Sequence, residues 1–310
     1  MSHLSYLEAI VMGAVQGISE LFPISSLGHA VIIPALVGGQ WAKDLNVSTP
    51  GSPYLAFIVG LHVATALALL VFFWRDWVRI IGGFLTSIRY RRVRTPSERM
   101  AWLLILATIP VALAGLLFEK IFTEYLGRPL PAAAFLAVNG LILLLGERMR
   151  SRQMARVGAS EQVAEQTANS EFDHESNTID DSRISGMKTG RGVLIGASQI
   201  LALCAGISRS GVTMVSGMAA GLSHREAARF AFLLATPVIL AAGVLKLPTL
   251  FGPVGHGIHG QVLAGSAAAF IAALISVRFL DRYFQTRTLK PFAIYCLAMG
   301  VCSFVYLALV

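Results

Sequence analysis

Six long runs of apolar side chains limit what this chain can fold into more than any other feature of its sequence. They lie at roughly 54–74, 100–118, 130–146, 227–247, 261–280 and 291–309. A helix of about 20 apolar residues crosses the hydrocarbon core of a bilayer. Only helices and closed barrels satisfy their backbone hydrogen bonds in that core. The sequence therefore predicts an all-α integral membrane protein with six transmembrane helices.

The composition of the chain supports this prediction. Of its 310 residues, 55% are hydrophobic and 14% are charged, whereas soluble domains carry about 25% charged residues. The net charge of +8 would suggest nucleic acid for a soluble protein, but basic residues of membrane proteins collect in cytoplasmic loops. We therefore expect membrane lipids, and no nucleic acid, as partners of this chain.

Two further apolar regions, 5–38 and 191–222, are interrupted by glycine, proline and serine. Each pattern indicates two short helical pieces joined by irregular backbone. Such backbone is tolerated at membrane depth only where it is buried in protein or lines a wet cavity. We predict that each region is a re-entrant helical hairpin.

Lysine and arginine predict the orientation of the chain, because they favour cytoplasmic connections. They are frequent in the connections at 75–99, 147–190 and 281–290 and scarce at 1–53, 119–129 and 248–260. The first three connections are predicted to be cytoplasmic and the last three to lie outside. The polar, acid-rich stretch within 147–190 is predicted to be a flexible loop.

The two interrupted regions resemble each other. Residues 12–28 align with 195–211 at a constant offset of 183, which pairs Gln16 with Gln199 and Gly28 with Gly211. Three predicted spans lie between the regions, so they enter from opposite sides. We predict an inverted-topology repeat of 1–146 and 191–310 around the cytoplasmic loop 147–190, an architecture typical of transporters.

The first hairpin carries a group of polar side chains that a lipid-embedded segment would not need. Gln16 and Glu20 are four residues apart, so they share one helical face. Ser25 or Ser26 would cap the piece that follows, and His29 lies in its first turn. Amides freed at that helix start favour an anion.

The second hairpin carries a cation and hydroxyl groups. Its members are Ser208, Arg209, Ser210, Gly211 and Thr213. Arginine together with backbone amides and hydroxyls is a phosphate-binding set. Serine, glycine and threonine clusters also serve close helix packing, and His62 and His224 are interpreted as core histidines. The two hairpins together hold the groups needed to bind and hydrolyse a phosphate ester.

Two motifs carry a family resemblance. The first, (E/Q)xxxE followed by PxSSxGH, corresponds to residues 16–20 and 23–29, and the second, PGxSRSxxT, corresponds to residues 205–213. The chain resembles the undecaprenyl-pyrophosphate phosphatases, a membrane enzyme family also linked to bacitracin resistance. It departs from the family pattern in four places, which are Gln16 for the commoner glutamate, Gly60 to His62 where a glutamine is expected, Ala205 for proline and Cys296 for arginine.

The resemblance implies hydrolysis of undecaprenyl pyrophosphate to the monophosphate carrier of cell-wall synthesis. It also implies a multi-pass protein of the bacterial inner membrane, an active site open to the periplasm and dependence on a divalent cation, Mg²⁺ or Ca²⁺. The substrate would be a polyprenyl pyrophosphate lipid. The oligomeric state is open, with a homodimer among the options.

The roles of the site residues follow from this resemblance together with their chemistry. Arg209 would offset the charge that grows in the transition state. Ser26 or His29 would attack phosphorus or position a water, and Glu20 would act as general base or metal ligand. The substrate-binding set is Gln16, Ser25, Ser208, Ser210, Gly211 and Thr213. The alternative function is a polyprenyl-phosphate transporter or flippase that uses the same anion site.

Overall fold

The computed structural model describes residues 4–46, 53–120, 126–156, 182–250, 252 and 257–309. Its principal helices are α1 (Tyr6–Ser19), α2 (Ser26–Val37), α3 (Gly39–Asp44), α4 (Pro53–Phe72), α5 (Trp74–Tyr90), α6 (Pro96–Lys120), α7 (Pro129–Arg156), α8 (Thr189–Ser198), α9 (Arg209–Ala219), α10 (His224–Leu250), α11 (His259–Thr286) and α12 (Lys290–Leu309). The described part of the chain contains no strand. The prediction of a flexible loop falls mostly on 157–181, which lie outside the described residues.

Five of these helices are long and apolar enough to cross a membrane, namely α6, α7, α10, α11 and α12. The sixth predicted run is α4, whose segment Ala56–Phe72 passes the same test only together with α5, across a bend of 86°. Over its described residues the chain is therefore all-helical and multi-pass, as predicted, with five or six spans where the apolar runs predicted six.

Helix α5 was not predicted. The sequence predicted a connection over 75–99, but Trp74–Tyr90 forms a strongly amphipathic helix that packs on the first turns of α6. The two helices approach closely at Gly83, where an added Cβ would lie 2.7 Å from the backbone of Ser97. Trp102 Nε1 also donates to Ser87 Oγ at 3.0 Å. The arginines of this segment therefore accompany a packed helix rather than an irregular loop.

Both interrupted regions are pairs of short helices, as predicted. In the first, α1 ends at Ser19 and α2 starts at Ser26, with Ser25 as its N-cap. In the second, α8 continues as a 3₁₀ turn over Gln199–Leu203 before α9 starts at Arg209. Between these pieces the backbone is irregular, and the cap position falls to Ser25 rather than Ser26.

The two N-caps are alike in detail. Ser25 Oγ accepts from the amide of Gly28 at 3.2 Å, and Ser208 Oγ accepts from the amide of Gly211 at 3.1 Å. Both pairs are separated by the offset of 183 found in the sequence. The local similarity of the two motifs thus has a physical basis, because each serine supplies the acceptor that the free amides of a helix start require.

Polar contacts join several helix ends at one end of the bundle. Arg229 Nη2 lies 2.9 Å from Asp76 Oδ1, and His224 Nε2 lies 2.7 Å from Glu147 Oε1. The amide of Leu289 also donates to Glu147 Oε1 at 2.6 Å. We call this region the basic end. It contains the last turns of α4, α7 and α11 and the first turns of α5, α10 and α12.

Candidate active site

Glu20 is the point at which the two hairpins meet. It follows the last residue of α1, and its carboxylate Oε1 accepts a hydrogen bond from Arg209 Nη2, at the first residue of α9. Its other oxygen, Oε2, accepts from the hydroxyl of Ser26 and from Gln16 Nε2, the latter at 3.0 Å. Arg209 also donates from Nη1 to the carbonyl of Ala235 at 3.1 Å. The carboxylate predicted in one hairpin thus contacts the guanidinium predicted in the other.

His62 joins this cluster, and its interpretation as a core histidine is wrong. Its Nε2 lies 3.3 Å from Glu20 Oε2, and its Nδ1 lies 2.9 Å from the carbonyl oxygen of Ile58 in the preceding turn of α4. The sequence held a signal for this role, since His62 is the only histidine within the six apolar runs. A polar ring in the middle of a span usually faces a cavity or a partner.

His29, by contrast, is not brought to the Glu20 cluster. Its Nδ1 lies 2.7 Å from the carbonyl oxygen of Ser25, and its Nε2 lies 2.8 Å from the hydroxyl of Tyr295 in α12. The two rings are stacked, with centroids 5.7 Å apart. Because α2 turns His29 away from Glu20, both of its ring nitrogens have partners outside the cavity.

The residues of the second motif divide into two groups. Ser208 and Arg209 line the same cavity as Glu20, together with Ser25 and Ser26. The remaining three, Ser210, Gly211 and Thr213, do not line it. The hydroxyl of Thr213 donates to the carbonyl of Arg209 at 2.7 Å, and that of Ser210 to the carbonyl of Phe22 at 3.3 Å. These side chains support the start of α9 rather than face a ligand.

Asn139 is a site residue that the sequence analysis missed. It lies in α7, is fully buried, and joins the two irregular segments. Its Nδ2 donates to the carbonyl of Pro23 at 3.0 Å, and its Oδ1 accepts from the amide of Ser208 at 3.0 Å. A lone asparagine in an apolar run is a signal for such a role, because an amide in the membrane interior requires partners.

Two glycines allow the hairpins to come this close. Gly206 adopts φ +107°, a conformation that side chains rarely take, and its amide donates to Ser25 Oγ at 3.2 Å. A Cβ on Gly28 would lie 2.8 Å from the Cα of Gly206. The glycine that follows Ala205 thus makes the turn, so the missing motif proline does not prevent the hairpin from forming.

A cavity of about 270 Å³ lies over the cluster. Its polar lining includes Glu20, Ser26, His62, Ser208 and Arg209. Its apolar lining includes Ile58, Val59, Val111, Leu203, Val238 and Ile239. Helices α2 and α9 both begin at this cavity, so their free amides add positive potential to that of Arg209. The arrangement suits an anionic group attached to an apolar body.

The lining positions also show towards which end of the bundle the cavity lies. The residues from α4 lie in its first half, and those from α6 and α10 lie in the later halves of these helices. In all three helices, the half that lines the cavity is the half farther from the basic end. The cavity is therefore displaced towards the opposite end of the bundle.

The protein's own metal ligands are few. Within the described ranges no group of three or more histidine, cysteine, aspartate or glutamate side chains could hold a metal ion. Among the residues that the structure describes, Glu20 is the only carboxylate that lines the cavity. Mg²⁺ is commonly bound through one or two carboxylates plus substrate phosphates, so this donor set fits a cation that is bound jointly with a phosphate ligand.

Comparison with known proteins shows to which family this chain belongs. The model of the family described as Bacitracin resistance protein BacA matches residues 9–302. The chain belongs to this family.

A relative from Mycolicibacterium paratuberculosis, named undecaprenyl-diphosphatase, is 62% identical over 308 residues, with 99% of both chains covered. A protein of the same name from Mycobacterium avium is also 62% identical over 308 residues. Undecaprenyl-diphosphatase 1 from Frankia casuarinae is 48% identical, with 97% of both chains covered. The BacA family resemblance read from the two motifs is therefore confirmed.

Asn139 provides a test of how the site is held together. We expect Asn139→Leu to lower the apparent melting temperature in detergent, because it leaves the Ser208 amide buried without a partner, at a cost of about 1–3 kcal/mol, and leaves the Pro23 carbonyl only the Cys296 thiol at 3.8 Å. The measurement is thermal unfolding of the purified protein. Asn139→Asp serves as the matched variant, since it keeps the acceptor for Ser208. Equal melting temperatures for Asn139→Leu and wild type would contradict the bridging role.

Proposed function

We propose that this chain hydrolyses undecaprenyl pyrophosphate to undecaprenyl phosphate and inorganic phosphate, and so recycles the lipid carrier of cell-wall synthesis. The observation that carries the proposal is the hydrogen bond from the Ser26 hydroxyl to Glu20, with Arg209 bound to the other carboxylate oxygen. A hydroxyl, a base and a fixed guanidinium in one cavity form a phosphoryl-transfer site. The names of the relatives agree with this function.

Ser26 is the nucleophile that the geometry favours among the serine, histidine and water alternatives. Its hydroxyl already donates to Glu20, so the carboxylate can take the proton as Ser26 Oγ attacks the terminal phosphorus. Undecaprenyl phosphate then leaves as the bridging P–O bond breaks, its oxygen takes the proton back from Glu20, and phosphoserine remains. Water, deprotonated by Glu20, releases phosphate and restores the hydroxyl. His29 is less suited to attack, because both of its ring nitrogens have other partners.

Arg209 would bind the pyrophosphate and stabilise its transition state. Its guanidinium is held by Glu20 and the Ala235 carbonyl. Phosphate oxygens would take over part of this bonding, assisted by the hydroxyls of Ser25 and Ser208 and the amides of two helix starts. Because these donors are already in place, little reorganisation is needed when negative charge grows.

His62 would act as a positioning residue for Glu20. The Ile58 carbonyl holds Nδ1, so Nε2 is directed at Glu20 Oε2. This ring and Gln16 Nε2 approach the same oxygen that accepts from Ser26. His62 would thus fix the carboxylate rotamer from which Glu20 takes the serine proton.

Glu20 is proposed to be the residue that would hold a divalent cation, Mg²⁺ or Ca²⁺. When bound, the cation would lower the repulsion between the carboxylate and the substrate. The single carboxylate in the cavity supports a cation that is bound with the substrate rather than a resident one.

The proposed topology is an inverted repeat of 1–146 and 191–310, each with a re-entrant hairpin and three spans. Three observations support it. Both hairpins have the same N-cap at the offset of 183. Helix α1 packs on α11, while its counterpart α8 packs on α6. The cavity is displaced away from the basic end, which we assign to the cytoplasm. The active site would then open to the periplasmic side of the bacterial inner membrane.

The catalytic proposal predicts the effects of two substitutions. Glu20→Gln and Arg209→Ala should each lower kcat for undecaprenyl pyrophosphate by at least about 10²-fold, because they remove the base and the phosphate-binding cation. The measurement is phosphate release by purified protein in detergent, with and without chelator. Asp44→Asn, a carboxylate outside the cavity, should stay within a few-fold of wild type.

The same assay separates the enzyme from a flippase. A flippase has no need for a serine hydrogen-bonded to a carboxylate beside its arginine. If wild-type protein releases no phosphate while lipid phosphate crosses proteoliposomes, hydrolysis is the wrong function. If both the Glu20 and the Arg209 variants retained turnover, the assignment of these residues to the active site would be wrong, whereas the proposed activity would not be contradicted.

The two histidines provide a matched pair. His62→Ala should lower kcat by about 10–100-fold with a smaller change in KM, because a misplaced catalytic group costs rate rather than binding. His62→Gln, which keeps a donor at this position, should recover part of that loss. His29→Gln should retain most activity. Loss of turnover in His29→Gln with normal turnover in His62→Ala would reverse the assignment.

The topology can be tested by labelling introduced cysteines. In a Cys302→Ser background, which removes the exposed native thiol, a membrane-impermeant thiol reagent applied to intact cells should label Gln40→Cys and not Arg92→Cys. Both positions are exposed and lie at opposite ends of the bundle. Permeabilised cells should give labelling of both. Labelling of Arg92→Cys alone in intact cells would invert the proposed orientation.

A further inference from the structure

Helix α5 lies almost at right angles to the helix that precedes it. Only Phe73 separates it from α4, and the two axes differ by 86°. Because α4 packs along α10 and α11, which are long enough to cross a membrane, an axis at 86° to α4 runs roughly parallel to the membrane plane. The bend occurs at the basic end, beside the contact of Asp76 with Arg229.

One face of α5 is apolar and exposed. Five side chains at spacings of four, three, four and three residues form this stripe, with exposed fractions of 56%, 62%, 53%, 60% and 52% for Trp74, Val78, Ile81, Leu85 and Ile88. The opposite face, with Gly83 and Ser87, packs on α6. This is the pattern of a helix that lies in a membrane interface.

The stripe continues an apolar surface of α4. Leu67 and Val71 are exposed on α4, and they precede Trp74 and Val78 at spacings of four, three and four residues. Exposed apolar residues therefore keep the same helical spacing on both sides of the bend. The same bilayer can cover both parts, so a separate protein partner is not needed to bury the stripe.

The charge of this segment selects the kind of lipid. Residues 74–94 contain six arginines and one acidic residue, Asp76. Asp76 is already bound to Arg79 and Arg229. Four arginines at the far end of the segment are exposed, and they are Arg89, Arg91, Arg92 and Arg94. Arginine binds phosphate groups well, and basic clusters beside a membrane attract anionic lipids.

We propose that α5 and the arginines that follow it form an anionic phospholipid-binding surface, with the apolar stripe at the headgroup–acyl boundary and the arginines on lipid phosphates. This surface is distinct from the cavity at Glu20 and lies at the basic end of the bundle. It gives the protein a preference for anionic lipid on that side, independent of catalysis.

The depth of the stripe tests the first half of the proposal. Spin labels are attached at Leu85→Cys and at Arg92→Cys in the full chain with Cys204→Ser and Cys302→Ser, reconstituted in bilayers. The Leu85 label should be more accessible to oxygen than to a water-soluble nickel complex, and the Arg92 label should show the reverse. A Leu85 label accessible mainly to the nickel complex would overturn the proposal. A Leu85 label shielded from both oxygen and nickel would also overturn it and would indicate that a protein partner covers the stripe.

The lipid preference tests the second half. Arg92→Gln/Arg94→Gln should lower the preference for spin-labelled phosphatidylglycerol over phosphatidylcholine by about fivefold or more. The matched control is Arg148→Gln/Arg152→Gln, which removes the same charge from exposed positions at the end of α7. If both variants lost the same amount of phosphatidylglycerol preference, the preference would come from the net charge of the protein. That result would overturn the proposal of a specific lipid-binding surface on α5. Thermal unfolding confirms that each variant is folded.

Discussion

The buried contact between Glu20 and Arg209 is the interaction on which the rest of the site depends. Neither charge is stable alone at membrane depth, because desolvation costs more than an isolated ion can recover. Together they connect a residue at the end of α1 to one at the start of α9, 189 positions apart in the sequence. The pair thereby holds the two irregular segments together at the wall of the cavity.

The surrounding backbone is arranged to keep this pair in place. Ser25 accepts from the amides of both Gly28 and Gly206, so one hydroxyl connects the two irregular segments. Asn139 makes a second bridge between Pro23 and Ser208. Irregular backbone inside a membrane leaves free amides and carbonyls, and these side chains satisfy several of them. With the turns stabilised in this way, the N-termini of α2 and α9 point towards the cavity.

The set of donors around Glu20 explains how one carboxylate can serve this site. The family pattern commonly has a second carboxylate at the position of Gln16, whereas here the amide of Gln16 donates to Glu20. His62 adds a further group beside the same oxygen. Glu20 is thus held from several sides and keeps Ser26 as its hydrogen-bond donor facing the cavity. With Gln16 in place of a second carboxylate, Glu20 is the acidic side chain available to a cation, and phosphate oxygens of the substrate would have to supply most of the other ligands.

The sequence alone determined the membrane class, the long apolar helices, the two interrupted helical regions and the family, because each depends on local composition or on residues close together in the chain. It also singled out Glu20 and Arg209 as candidate site residues, since charge at membrane depth is rare enough to be a signal, and Ser26 through the first motif. Only the tertiary structure decided between His29 and His62. Both are single histidines in apolar surroundings, and which one faces Glu20 depends on how α2 and α4 are rotated. The same holds for Asn139, whose partners are 116 and 69 residues away in the sequence, and for α5, whose packed face is set by its contact with α6.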